Sequence, residues 1–189
     1  MTDRHQLFEE KALGLILEKG FRGMTMRDLA ASMDCDVANI YNYIPSKQAF
    51  LHDQLFGMST RFHQGIDEIV KSGLPSSEQI KALIQLYVRL TVEFPKQVAL
   101  LSNEWRHLEA SDRSMFLDER MRYEKKVKTM LSTGMRKGEI RQMNAQVATH
   151  LVLSALRWLF MHIDSNPVKN RIRLEREIMS FVLTGLALT

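Results

Sequence analysis

Residues 25–47, TMRDLAASMDCDVANIYNYIPSK, hold a capped short helix, a turn, a second short helix and the start of a third within 23 residues. Thr25 precedes Asp28 by three residues, the spacing at which two side chains reciprocally satisfy the first free amides of a helix. Leu29, Ala30 and Met33 follow as a narrow apolar face, and the alanines beside it allow a close helix crossing. Asp34-Cys35-Asp36 interrupts the pattern. The first aspartate tolerates the left-handed backbone that ends a helix, and Asp36 is placed to cap the next. In that next helix Val37, Ile40 and Tyr41 are expected on the inner side, with Ala38, Asn39 and Asn42 pointing outward. Two short helices joined by a turn of three to four residues let the second lie in a DNA major groove, where asparagine bonds base edges. Ile44-Pro45 ends it, because a residue before proline avoids the helical region. Ser46-Lys47 opens a further helix, with a cap and a cation where a phosphate could sit.

These elements resemble the DNA-binding domain of the TetR family of bacterial transcription regulators over residues 10–51. The matching positions are Gly20-Phe21, Gly23-Met24-Thr25, Arg27-Asp28-Leu29-Ala30 and Ile40-Tyr41-Asn42-Tyr43-Ile44-Pro45-Ser46-Lys47. The chain departs from the family pattern at Met24, Asp34, Ala38 and Ile44, where a hydroxyl residue, glycine, glycine and phenylalanine are usual. The resemblance implies a homodimer that binds a pseudo-palindromic operator in double-stranded DNA, commonly as a repressor released by a small molecule. The residues assigned to DNA contact are Thr25, Met26, Arg27, Val37, Ala38, Asn39, Tyr41, Asn42, Tyr43 and Lys47.

With 189 residues, 45% of them apolar, and only 4 prolines and 9 glycines, the chain is expected to be all-α with an ample core. A single cysteine excludes internal disulfides and fits a reducing cytoplasm. No apolar run reaches the length of a membrane span, and Met1-Thr2-Asp3-Arg4 leads into no signal-peptide core, so a cytoplasmic protein without a membrane partner is expected. The net charge of +4 suggests a nucleic-acid partner at first sight. Its distribution does not. Residues 1–71 carry 8 Lys+Arg against 10 Asp+Glu, whereas residues 72–189 carry 18 against 12. DNA binding must then rest on a few placed donors such as Arg27, Tyr43 and Lys47, together with helix N-termini.

Periodicity and breakers give about nine helices: 4–19, closed by Gly20; 25–33; 36–42; 47–71; 76–93, with Ser76 and Gln79 as a second capping box; one from Phe94-Pro95; 111–137; 144–163; and 168–187. The Ser72-Gly73-Leu74-Pro75 cluster marks a boundary. The expected division is a three-helix helix-turn-helix domain over 1–46, a linking helix over 47–75, and a helical ligand-binding and dimerisation domain over 76–189. The last two helices are apolar on more than one side, as expected of helices that also pack against a second chain.

In residues 101–141, Asn103-Glu104-Trp105-Arg106-His107, Arg120-x-x-Tyr123-Glu124 and Gly134-x-x-x-Gly138-Glu139-Ile140 are similar to a subgroup of TetR-like regulators that respond to acyl-coenzyme A thioesters or related lipid intermediates. Eight basic residues between Arg120 and Arg141 face only Glu124 and Glu139 in sequence, a cluster suited either to phosphates or to plain solvent. His150, Ser154 and Arg157 form a polar stripe, and Arg157 needs an acceptor: an effector anion, Glu104, Glu177 or the partner subunit. Candidate effector contacts are Trp105, Arg106, Arg120, Tyr123, Arg157 and Trp158. Two alternatives stand beside this reading: a DNA-binding dimer without an effector, and a helical metalloenzyme. Glu104-x-x-His107 has the spacing of a di-iron ligand pair, but a second copy is absent, and neither a phosphate-cradling glycine loop nor a nucleophile elbow occurs. No cofactor is expected, nor any catalysis.

Overall fold

The computed structural model describes residues 3–161 and 167–187, and among these every regular element is helical. The helices are α1 (Asp3–Gly23), α2 (Met26–Ser32), α3 (Val37–Ile40), α4 (Lys47–Lys71), α5 (Ser76–Glu93), α6 (Pro95–Asn103), α7 (Ala110–Lys137), α8 (Ala145–Arg157) and α9 (Pro167–Leu186), with 3₁₀ turns at Trp105–His107 and Trp158–Met161. No described helix is long and apolar enough to cross a membrane.

Packing divides the chain differently from the linear scheme of 1–46, 47–75 and 76–189. One unit comprises residues 1–58 with 96–116, the other 59–95 with 117–189. A single uninterrupted helix, α4, offers no boundary of its own, so the division follows burial instead. In the first unit, Phe8, Ile16, Met24, Leu29, Ile40, Leu51 and Leu55 form a core that also takes in Leu100, Leu108 and Phe116. Burying each such side chain stabilises the fold by about 1.5–3 kcal/mol. The second unit's core draws Ile66 from α4, Ile80, Leu83 and Ile84 from α5, Val127 and Leu131 from α7, Val152 and Leu156 from α8, and Ile178 and Val182 from α9.

Several helix ends differ from the sequence expectation, each with a local cause. Gly20 does break α1, with φ of 73°, but one more helical turn follows it to Gly23. Helix α3 covers four residues rather than seven. The amides of Asn42 and Tyr43 bond the carbonyls of Asn39 and Ile40, three-residue closures that tighten the chain before Pro45. Pro75, not Ser76, is the N-cap of α5, and no Ser76–Gln79 box forms. Instead the Ser76 amide donates to Glu139 Oε2 at 2.6 Å. That bond explains the glycine-rich motif at 134–140. Gly138, at φ 71°, closes α7 and sends Glu139 back over the start of α5. A Cβ on Gly134 would lie 2.6 Å from Ser76 Cβ and from Ile140 Cδ1. Helix α8 ends at Arg157 and passes into a 3₁₀ turn rather than running on to residue 163, and residues 162–166 lie outside the described part. Helix α9 starts on Pro167, whose missing amide costs nothing in a first turn.

Candidate nucleic-acid interface and effector site

Helix α2 begins with the cap that its sequence predicts. Thr25 Oγ1 accepts from the Asp28 amide at 3.1 Å, while the Thr25 amide and hydroxyl donate to Asp28 Oδ2 at 2.8 and 2.6 Å. Lys19 Nζ adds a bond of 2.8 Å to Asp28 Oδ1. Lys19 first, then Thr25, hold the Asp28 carboxyl well below the usual carboxylate range. The turn to α3 uses Asp34 at φ 49°, in the left-handed region where its short polar side chain is tolerated and glycine is usual. Cys35 packs half-buried against the core, and Asp36 occupies the N-cap of α3 without a side-chain cap bond.

Only Ile40 of α3 is fully buried, and Val37 is half-buried. Ala38, Asn39, Tyr41 and Asn42 are exposed, Tyr41 by 53%. Tyr41 therefore faces outward, not inward as its spacing suggested. Met26 is half-buried against the core, and Arg27 is exposed without a carboxylate partner among the described residues. The Asn39 side-chain amide likewise has no partner there. Tyr43 is half-buried, its ring stacked on Phe8 at 4.9 Å and near His5 at 5.9 Å.

Lys47, assigned to a phosphate contact from the sequence, has partners within the chain. Its ammonium donates to the carbonyls of Phe21 and Met24 at 2.8 and 2.9 Å and lies 4.6 Å from the centre of the Phe21 ring. The Phe21 amide, which follows the break at Gly20, donates to Glu104 Oε2 at 3.3 Å. His107 stacks on the Phe21 ring at 5.9 Å, and its Nε2 lies 3.5 Å from Glu104. Gln48 Nε2 donates to the His107 carbonyl at 2.9 Å. The Glu104-x-x-His107 pair thus serves to hold Phe21, four residues before the α2 cap. Sequence spacing could not reveal this, because Glu104 and Phe21 are 83 positions apart.

Of the candidate effector residues, Trp105 and Arg106 belong to the first unit. Trp105 stacks on Phe116 at 6.4 Å, and the exposed Arg106 lies over the Trp105 ring. Arg120, Tyr123 and Arg157 belong to the second unit, where Arg120 and Arg157 converge on Glu124. Arg157 Nη2 donates to Glu124 Oε1 at 2.8 Å. Glu124, four residues after Arg120, is thus the acceptor for Arg157, in place of Glu104 or Glu177. Beside this pair, the Tyr123 and Tyr87 rings meet edge to face at 6.3 Å, with Phe62 and His63 against Tyr123. Burial pushes the Tyr87 phenol up to about 12 and Tyr123 well above its ordinary value, so both are neutral donors. Desolvation, helped by Lys126, lowers His63. The Trp158 side chain lies outside the described part, and His150 and Ser154 are exposed. Among the described residues no three His, Cys, Asp or Glu side chains group as metal ligands would.

The family described as bacterial regulatory proteins, tetR family, matches residues 10–53, and the tetracyclin repressor-like C-terminal domain matches residues 58–162. The HTH-type transcriptional repressor KstR2 of Rhodococcus jostii (strain RHA1) is 30% identical over 108 residues, 57% of this chain and 53% of that protein. The match thus spans about half the length of that curated relative. Among solved structures, the ketosteroid transcriptional regulator KstR2 of Mycobacterium tuberculosis superposes with a TM-score of 0.92 at 18% identity, over 100% of this chain and 97% of that one. AibR in complex with isovaleryl coenzyme A and operator DNA superposes with a TM-score of 0.80 at 18% identity, over 95% and 97%. At these identities the two structures bear on the fold alone.

Proposed function

Since the chain belongs to the tetR family of bacterial regulatory proteins, we propose that it is a cytoplasmic transcriptional repressor that binds a pseudo-palindromic operator as a homodimer and is released by an acyl-coenzyme A-like effector. The observation that carries the DNA-binding part is the exposed polar surface of α3 and its following turn, Ala38, Asn39, Tyr41 and Asn42, on a helix pinned from beneath by Ile40. An asparagine amide there has the donor and acceptor that an adenine edge requires. Arg27 and Thr25 flank it at the start of α2, where phosphate contacts set register. Met26, Val37 and Tyr43 support this surface from half-buried positions, and Lys47 supports it by holding α1 to α4.

A dimer is favoured by the apolar residues that α8 and α9 leave in solvent: Val147, Leu151, Ile172 and Phe181 are 51, 60, 66 and 75% exposed. So much apolar surface on two helices of one unit calls for a partner, and a second copy supplies the two-fold symmetry that paired half-sites need. The effector reading draws on Arg120, Tyr123 and Arg157, two cations and a neutral phenol brought together in the second unit, and on the coenzyme A thioester bound by AibR. Effector and operator then oppose each other by linkage: a ligand that binds the DNA-free form more tightly lowers operator affinity by the same factor.

The test is selection of bound duplexes from a random library, followed by gel shifts at fixed salt. Asn39→Ala is expected to weaken the selected site by about tenfold or more, corresponding to about 1–3 kcal/mol of base discrimination. Full specific affinity in that variant would remove α3 from the interface. Operator release by acyl-coenzyme A compounds, followed on the same duplex, tests the effector half.

A further inference from the structure

Helix α7 carries two kinds of basic residue. Arg120, Arg122 and Lys126 each have a carboxylate at ion-pair distance, namely Glu124, Glu119 and Asp67. Lys125, Lys128 and Arg136 have none among the described residues, and these three line an open groove of about 490 Å³ along α7, closed on one side by Gln146 of α8. Positions 121, 125, 128, 132 and 136 recur every three or four residues, so the groove follows a single stripe about 22 Å long. Thr129, Ser132 and Thr133 place hydroxyls among the cations, and Arg136 Nη2 already donates to Thr133 Oγ1 at 3.3 Å. The one carboxylate in the lining, Glu124, is occupied by Arg157 and Arg120. At one end of the stripe Met121 is 60% exposed.

Arg120 and Arg122 have acidic partners four and three positions away on α7, and Lys126 has Asp67 of α4, while Arg113 and Lys137, also without an ion pair among the described residues, stand outside the groove. Here three like charges stand uncompensated beside hydroxyl and amide donors, in a concave site with an apolar end. The complementary ligand is a multiply charged anion whose phosphates are spread along an extended molecule that ends in an apolar part. We infer that the phosphates of an acyl-coenzyme A effector lie in this groove, held by Lys125, Lys128 and Arg136, with the pantetheine arm directed along α7 towards Met121. This rests on the acyl-coenzyme A reading given above and adds the place where the nucleotide portion binds. It also accounts for the basic surplus in the half of the chain that does not carry the helix-turn-helix.

The experiment is calorimetric titration of the full-length protein with coenzyme A, octanoyl-coenzyme A and octanoyl-pantetheine, the last lacking every phosphate. Wild type, the triple variant K125A/K128A/R136A and the single variant R122A are compared, with operator release followed in parallel. All three groove side chains are exposed, so the triple variant should keep the melting temperature and operator affinity of the wild type. The expected result is at least about a tenfold loss of octanoyl-coenzyme A affinity in the triple variant, a shallower salt dependence, and no change in R122A or towards octanoyl-pantetheine. Equal octanoyl-coenzyme A affinity in the triple variant and wild type, with operator still released, would overturn the groove and leave the effector class standing. Absence of binding by either coenzyme A compound to wild type would overturn both. A parallel loss of operator affinity in the triple variant would make the groove a general polyanion surface and also overturn the inference.

Discussion

Around the helix-turn-helix, charged side chains are occupied with the chain's own backbone: Lys47 holds the carbonyls of Phe21 and Met24, Asp28 the Thr25 amide, and Glu104 the Phe21 amide. Along the groove of α7 in the second unit, Lys125, Lys128 and Arg136 hold no carboxylate among the described residues. The comparison shows why net charge misplaces the partners of this chain. The unit with the helix-turn-helix commits several charges to its own backbone and exposes charges of both signs, whereas the groove of the other unit gathers cations alone.

The sharpest way to break this contrast is Lys47→Met. Losing a charged donor from two carbonyls should cost about 2 kcal/mol of stability in denaturant unfolding, while leaving the salt dependence of residual operator binding nearly unchanged. A shallower salt slope with unchanged stability would return Lys47 to phosphate contact and undo the comparison. Next in size is Glu139→Ala, where a buried Ser76 amide loses its acceptor. A loss of about 1.5 kcal/mol is expected by the same measurement. It tests whether the second unit also has charges committed to its fold. Acid should then act on the first unit through Asp28. Because its carboxyl is held below the ordinary value of 3.8, its contribution is complete above that pH and is lost as pH falls further towards the folded value. Asp28→Asn should remove this acid sensitivity from the helical circular dichroism while lowering thermal stability only slightly. Smallest of all, the triple groove variant should change unfolding stability by no more than about 0.5 kcal/mol. A larger change would mean that those cations do serve the fold.

What the sequence revealed follows the distance over which each interaction acts. The Thr25–Asp28 cap, the left-handed Asp34 and the break at Gly20 are local, and each is readable within a few residues. The bonds that hold those pieces together are not. Lys47 reaches back 26 and 23 positions, Glu139 63 and Glu104 83. Polar spacing within one helix therefore shows neither the two carbonyls that Lys47 holds nor the partner that the Ser76 amide finds in Glu139. The need of Arg157 for an acceptor is legible from its apolar helix, but the choice of Glu124, 33 positions away on another helix, is not. The candidate effector set mixed residues from two packing units for the same reason: Trp105 and Tyr123 are close in sequence but belong to different cores.

The return of residues 96–116 to the first unit has a consequence for recombination. Leu100, Leu108 and Phe116 complete its core, and Glu104 secures Phe21 just ahead of the α2 cap. A helix-turn-helix unit cut at residue 46 or 75 would leave behind part of its own interior. Chimeras that exchange binding specificity between relatives should therefore transfer residues 1–58 and 96–116 as one piece. That unit is encoded by two separate stretches of gene, and a crossover between them inherits a mismatched core.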